Sequence, residues 1–185
     1  MADNELAGRR VLAIVTNYGV EQDELIVPVD HLRDEGAEVV VAATSDDSIQ
    51  TLVGDKDSGK SVEPDTTIDA VDDGGFDLLL IPGGALNADH LRMDEDALGL
   101  IKAFTSSGRP VAAICHAPWT LVEADVVDGK RLTSYASLQT DVRNAGGSWV
   151  DEEVVTDAWL VTSRKPDDLP AFTREMVSHF AGAGG

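Results

Sequence analysis

The sequence has one cysteine, Cys115, in 185 residues. A lone cysteine excludes an intramolecular disulfide and a zinc site of the multi-cysteine type. The four histidines, His31, His90, His116 and His179, show no paired ligand spacing such as H-E-x-x-H. No metal and no cofactor is therefore expected. Cations are also scarce. Fourteen Lys and Arg, only 5 of them Lys, face 34 Asp and Glu, of which 23 are Asp, for a formal net charge of −20. Nucleic-acid binding is driven by Lys and Arg neutralising phosphates, so this balance argues against such a partner. No stretch approaches the ~18 continuous apolar residues of a membrane span. The opening MADNELAGRR is polar and acidic, unlike a secretory signal, and a cytoplasmic protein is the expectation.

What is present fits one domain over residues 1–185, since domains commonly run to about 100–200 residues. Residues 1–9 and 182–185 read as flexible ends. The acids are spread along the chain and not gathered in a tail. They keep the molecule soluble by self-repulsion. The excess reads as adaptation to a salt-rich, halophilic cytoplasm, where screening makes such charge tolerable.

Strand and helix patterns alternate from end to end. Residues 10–16 (RVLAIVT) and 38–43 (EVVVAA) are continuous apolar runs rich in β-branched residues, the pattern of parallel strands covered on both faces. Between them, Leu25, Val29 and Leu32 share one face of a helix over 24–35, which Gly36 ends. Residues 45–73 are polar and glycine-broken, with β-like pieces at 49–53 and 60–62, and read as a hairpin or surface excursion. Further strands are expected at 77–81, 111–114, 131–133 and 159–162. Helices are expected at 94–107, 116–124, 138–145 and 167–180, the last capped by Asp167 or Asp168. This alternation predicts an α/β fold: a flavodoxin-like, doubly wound, mostly parallel sheet with helices on both faces. Its active site would lie at the carboxyl ends of the strands.

The sharpest local feature is Pro110-Val-Ala-Ala-Ile-Cys115-His116-Ala117-Pro118. A buried strand runs into Cys115 and a helix follows. Ala113 and Ala117 flank the cysteine at two residues on either side, the small-x-nucleophile-x-small spacing of a nucleophile elbow. A helix amino end beneath the sulfur would lower the thiol pKa. His116 is placed to move a proton. Its backbone N–H and that of Gly84, in the Pro82-Gly83-Gly84 turn, are the expected oxyanion-hole donors.

With those residues in place, the sequence resembles the PfpI family of the ThiJ/PfpI superfamily over nearly its whole length. The resemblance is carried, in order, by Gly19-Val-Glu21-Gln-Asp-Glu24-Leu25, Leu80-Ile-Pro-Gly-Gly84, Ala113-Ile-Cys115-His116-Ala-Pro118, Asn144-Ala-Gly146 and Thr162-Ser-Arg164-Lys-Pro-Asp-Asp-Leu-Pro170. It implies a flavodoxin-like domain and a homo-oligomer, a dimer or a hexamer built from dimers. It implies Cys115 as nucleophile, His116 as the adjacent histidine, and Glu21 as a carboxylic acid touching the sulfur, with a raised pKa. Some members of the family complete a triad with an acid after the Gly-Gly turn, supplied across a subunit contact. Here the best match to that acid is Asp89. The family usually has glycine after the histidine, where this chain has Ala117.

Three functions follow from the resemblance. The first is cofactor-free glyoxalase III-like or deglycase chemistry on methylglyoxal or its adducts, a stress-response activity passing through a Cys115 hemithioacetal. The second is an intracellular cysteine peptidase using a Cys-His-acid triad, with a peptide as substrate. The third is a non-catalytic redox sensor or chaperone built on an oxidisable thiol.

Overall fold

The computed structural model describes residues 4–183. In chain order, β1 (Arg10–Val15) is followed by β2 (Tyr18–Glu21), α1 (Gln22–Asp34), β3 (Glu38–Ala43), β4 (Ile49–Val53), β5 (Asp57–Val62) and β6 (Thr66–Thr67). Next come β7 (Leu78–Ile81), α2 (Ala85–Leu91), α3 (Glu95–Ser106), β8 (Val111–Ile114) and α4 (Pro118–Glu123). The chain closes with β9 (Arg131–Leu132), α5 (Gln139–Asn144), β10 (Ser148–Trp149), β11 (Val154–Asp157), β12 (Leu160–Ser163) and α6 (Leu169–Gly182).

Seven strands form the central sheet in the order β11-β12-β8-β7-β1-β3-β6. All neighbours are parallel except the edge strand β11, which runs antiparallel to β12. The two-residue period of a strand divides its side chains between two layers. From β1, Val11, Ala13 and Val15 join Leu25, Val29 and Leu32 of α1 and Phe172, Met176 and Phe180 of α6. Leu12 and Ile14 join Ile101 and Phe104 of α3 and Leu121 of α4 on the other face. Each large side chain buried in this way contributes about 1.5–3 kcal/mol. The doubly wound architecture read from the alternating pattern is thus the one observed.

Several local details differ from the sequence reading. The excursion at 45–73 contains the hairpin β4–β5, which pairs with the unforeseen β2 in a separate three-stranded sheet. The short α2 was not foreseen either. The helix expected from His116 starts at Pro118, because Cys115 to Ala117 form a turn in which the Ala117 N–H donates to the Ile114 carbonyl at 3.0 Å. β9 pairs with β10 outside the main sheet. Asp168 takes the cap position of α6, but its carboxylate does not cap the helix. It accepts from the Arg164 backbone N–H at 3.1 Å and from the guanidinium at 2.9 and 3.0 Å. Of the ends expected to be flexible, 1–3 and 184–185 lie outside the described residues. Leu6 is fully buried in the core, and its N–H donates to the Glu35 carbonyl at 3.0 Å. α6 continues through Gly182.

Phe104 is completely buried between α3 and the sheet. Truncation there removes the transfer energy of a ring and leaves a cavity. Phe104→Ala is expected to lower the unfolding free energy by about 3–5 kcal/mol in chemical denaturation. A loss below about 1 kcal/mol would contradict the packing described.

Candidate active site

Four buried residues of β8 lead into Cys115, whose φ is +64°. A non-glycine residue in the left-handed region is strained by about 1–3 kcal/mol and persists only where its surroundings hold it. Here the Cys115 N–H donates to the Ser163 carbonyl at 3.0 Å, and the Cys115 carbonyl accepts from the Tyr135 N–H at 2.7 Å. Ala113 and Ala117 are both fully buried, as the elbow requires. Gly83 must be bare for the same reason. A Cβ there would overlap the Glu24 carboxyl and stand 2.7 Å from both Cys115 Cβ and the Ile114 carbonyl oxygen.

The carboxyl that faces the thiol belongs to Glu24, not to Glu21. Glu24 is 0% exposed. Cys115 Sγ and the Gly83 N–H are its polar neighbours, yet neither carboxyl oxygen reaches full hydrogen-bond geometry. Burial dominates and raises its pKa to about 8, so the acid keeps its proton at neutral pH. The thiol does not behave as the sequence predicted. Burial, then the charge of Glu24, push its pKa up, and the Gly84 N–H facing the sulfur offsets only part of this. The expected helix dipole is weak here, since α4 begins three residues later and is six residues long. Thiol and carboxyl titrate as one coupled pair.

Glu21 is buried as well, but its carboxylate turns to the tip of the β4–β5 hairpin. It accepts from the Gly54 N–H at 3.0 Å and the Asp55 N–H at 3.1 Å. Asp55 in turn accepts from the Ala85 N–H at 2.8 Å, at the start of α2. Asn87, fully buried, ties the Pro82-Gly83-Gly84 turn to the end of β1. Its side chain accepts from the Thr16 N–H at 2.8 Å and Thr16 Oγ1 at 3.0 Å, and donates to the carbonyls of Pro82 at 3.2 Å and Gly83 at 3.0 Å. Gly84, at φ +90°, could carry no side chain, since a Cβ would collide with the Gly19 carbonyl oxygen.

His116 Nδ1 lies 3.2 Å from Cys115 Sγ. The ring stacks on Tyr135 at 4.6 Å between centroids and meets the edge of Trp119 at 5.4 Å. Burial lowers its pKa, with the Asp55 charge opposing, so the imidazole is neutral at pH 7 and free to take a proton. Among the described residues, the His116 backbone N–H makes no hydrogen bond. The Gly84 N–H faces the sulfur. Asp89 is exposed on α2 and makes no hydrogen bond with His116 within this chain. The structure thus gathers Cys115, His116 and Gly84, replaces Glu21 by Glu24, and leaves Asp89 outside.

Sequence reasoning missed Glu24, Asp55, Asn87 and Tyr135. A signal existed for Glu24. It stands beside Leu25 and four residues before the buried Pro28, an acid on the apolar stripe of α1. Nothing local marks the other three, because contacts distant in sequence place them. No group of three or more His, Cys, Asp or Glu side chains is arranged to hold a metal among the described residues. No helix among them is long and apolar enough to cross a membrane. A cleft of about 630 Å3, lined by Pro110, Trp159 and His179, lies at the opposite end of β8.

Glu24 also links stability to pH. The folded protein holds its proton up to about pH 8, whereas the unfolded chain releases it near 4.5. From 4.5 to 8 the unfolded state therefore binds fewer protons, and this group makes stability fall as pH rises, levelling above 8. Glu24→Gln is expected to remove that fall in denaturation measured from pH 4.5 to 9. It should also speed Cys115 alkylation at alkaline pH, since the Glu24 charge no longer opposes formation of the thiolate. An unchanged alkylation profile in the variant would show that the thiol titrates without the carboxyl.

Residues 9–179 match the DJ-1/PfpI family profile. A protein of Escherichia coli (strain K12) named protein/nucleic acid deglycase 2 is 42% identical over 167 residues, covering 90% of this chain and 95% of that protein. A protein of Bacillus subtilis (strain 168) named putative cysteine protease YraA is 39% identical over 173 residues, covering 92% and 97%. The crystal structure of Drosophila melanogaster DJ-1beta superposes with a TM-score of 0.85 at 32% identity, over 94% of this chain and 91% of that one. With its elbow cysteine, adjacent histidine and buried glutamic acid, this chain belongs to the DJ-1/PfpI family.

Proposed function

We propose that the protein is a cofactor-independent cysteine enzyme of the deglycase type, acting on methylglyoxal or its adducts. The observation that carries this is the buried, protonated Glu24 aimed at the Cys115 thiol, with neutral His116 Nδ1 on the same sulfur. Two groups of different proton affinity at one thiol suit a reaction that adds to a carbonyl and then moves a proton between carbons. Cys115 sulfur bonds to the aldehyde carbon and the carbonyl π bond opens. The thiol proton reaches the new hydroxyl through Glu24 or His116, giving a hemithioacetal. Removal of the C1 hydrogen and its return at C2, with the C1 hydroxyl proton passing to the C2 oxygen, converts this to a lactoyl thioester. C1 is oxidised and C2 reduced within the substrate, so no external oxidant takes part. Water then cleaves the thioester to lactate and restores the thiol. The N–H groups of Gly84 and His116 stabilise the oxygen at each tetrahedral stage. Relatives named deglycase support this reading.

The relative named putative cysteine protease favours a second reading, acyl transfer from a peptide through the same thiol and N–H pair. That chemistry calls for an acid to orient His116. Asp89 would have to supply it from a second copy, in a homo-oligomer built on dimers. We extend the proposal to such an assembly in a salt-rich cytoplasm, with neither nucleic acid nor membrane as partner. The acidic composition and the exposed Tyr18, Val53 and Leu86 near α2 support it.

Native protein and Cys115→Ala are to be assayed in molar KCl on methylglyoxal and on a fluorogenic peptide. The expected result is lactate formation by the native protein and at least a thousandfold loss in the variant, with an unchanged circular dichroism spectrum. Cleavage of the peptide alone would replace this reading by the peptidase one. Turnover that survives the substitution would remove Cys115 from the mechanism.

A further inference from the structure

The tip of the β4–β5 hairpin takes part in no step above, yet it is built into the wall of the site. Gly54 at φ +65° and Asp55 at φ +57° turn the chain so that both N–H groups meet the Glu21 carboxylate. The Asp55 side chain then reaches back to the Ala85 N–H. Ala85 follows Gly84, whose own N–H faces the sulfur. One carboxylate is thus fixed a single residue from the oxyanion donor. Its charge is felt by Cys115, Glu24 and His116 alike. Lys56, the nearest cation in sequence, is exposed and makes no ion pair among the described residues. The other acid at this wall, Glu21, is buried whereas Asp55 is exposed, and Glu24 is uncharged at neutral pH. Of these three acids, Asp55 is therefore the exposed charge that an incoming molecule meets.

We propose that Asp55 is a specificity-determining residue, which turns anionic carbonyl compounds away from Cys115 and leaves the site to neutral and cationic ones. A fixed charge of one sign at the mouth of a cleft acts on encounter, and its effect depends on the charge of the visitor more than on its shape. The substrates it admits are neutral 2-oxoaldehydes and the adducts these form with arginine and lysine side chains. Those it excludes carry a carboxylate beside the aldehyde, as glyoxylate does. This assignment of substrate class rests on the aldehyde chemistry proposed above. The bias at the thiol does not, and can be measured without turnover.

Iodoacetamide and iodoacetate are matched alkylating agents that differ by one negative charge. Their rate constants at Cys115 are to be compared for the native chain, Asp55→Asn, Asp55→Ala and the exposed control Asp96→Asn. The measurement uses the lowest KCl concentration that preserves the native circular dichroism spectrum, since salt screens the effect. Asn keeps an oxygen for the Ala85 N–H and loses only the charge. The iodoacetate-to-iodoacetamide ratio is expected to rise about two- to fivefold in Asp55→Asn and to stay level in Asp96→Asn. Asp55→Ala should show the same rise in ratio. Equal ratios in native and Asp55→Asn protein would overturn the proposal, as would an equal rise in the Asp96 control. Turnover adds a separate arm: kcat/KM for glyoxylate should rise relative to methylglyoxal in Asp55→Asn, chiefly through KM. If neither aldehyde is turned over while the alkylation ratio shifts, the aldehyde reading fails and the charge filter stands.

Discussion

Everything at the carboxyl ends of these strands is arranged around a fully buried carboxylic acid that has no complete hydrogen bond within the protein. Ionised, Glu24 would carry the full desolvation cost of a buried charge. Protonated, it is tolerable, and it becomes a proton store touching a sulfur. The bare Gly83, the left-handed Cys115 and the tight β8 exit all serve to let thiol and carboxyl meet. Filling any of that space with one methyl group drives the pair apart. The central sheet supplies the rigidity that such a close approach needs, because β7 and β8 are buried on both faces and cannot drift.

The scaffold was legible and the fine chemistry only partly so. Continuous apolar runs such as EVVVAA and DLLLI have one common use in a chain that alternates with amphipathic helices, so the parallel sheet could be read directly. Cys115 could be read because the elbow restricts its neighbours to small residues. The choice between Glu21 and Glu24 could not be made from the motif, where both acids occur three residues apart. The phase of α1 decides it, since the buried stripe runs through positions 24, 25, 28, 29 and 32. α2 escaped notice for a different reason. Its seven residues have little periodicity, and its first N–H is satisfied by Asp55, thirty residues earlier. The thiol pKa was misjudged because a helix dipole can be guessed from sequence, whereas the burial that opposes it depends on the whole fold.

Asn87 shows how cheaply such a site can be stiffened. One side chain uses its oxygen and its nitrogen to join the end of β1 to the turn after β7. Both strands are neighbours in the sheet, so the bridge closes a gap that the parallel ladder leaves open. Fully satisfied buried amides of this kind fix a single arrangement where an apolar filler would permit several.

The hairpin tip has a consequence of another sort. Residues 21, 54–55 and 85 come from three separate stretches of chain and are tied together by side-chain hydrogen bonds at the edge of the site. The protein thus divides two tasks: a sheet that holds the nucleophile, and beside it a rim, built from other stretches of chain, that borders the approach to it. Whatever strengthens or weakens that rim tunes access and selectivity without touching the reacting atoms, which leaves the two properties free to change independently.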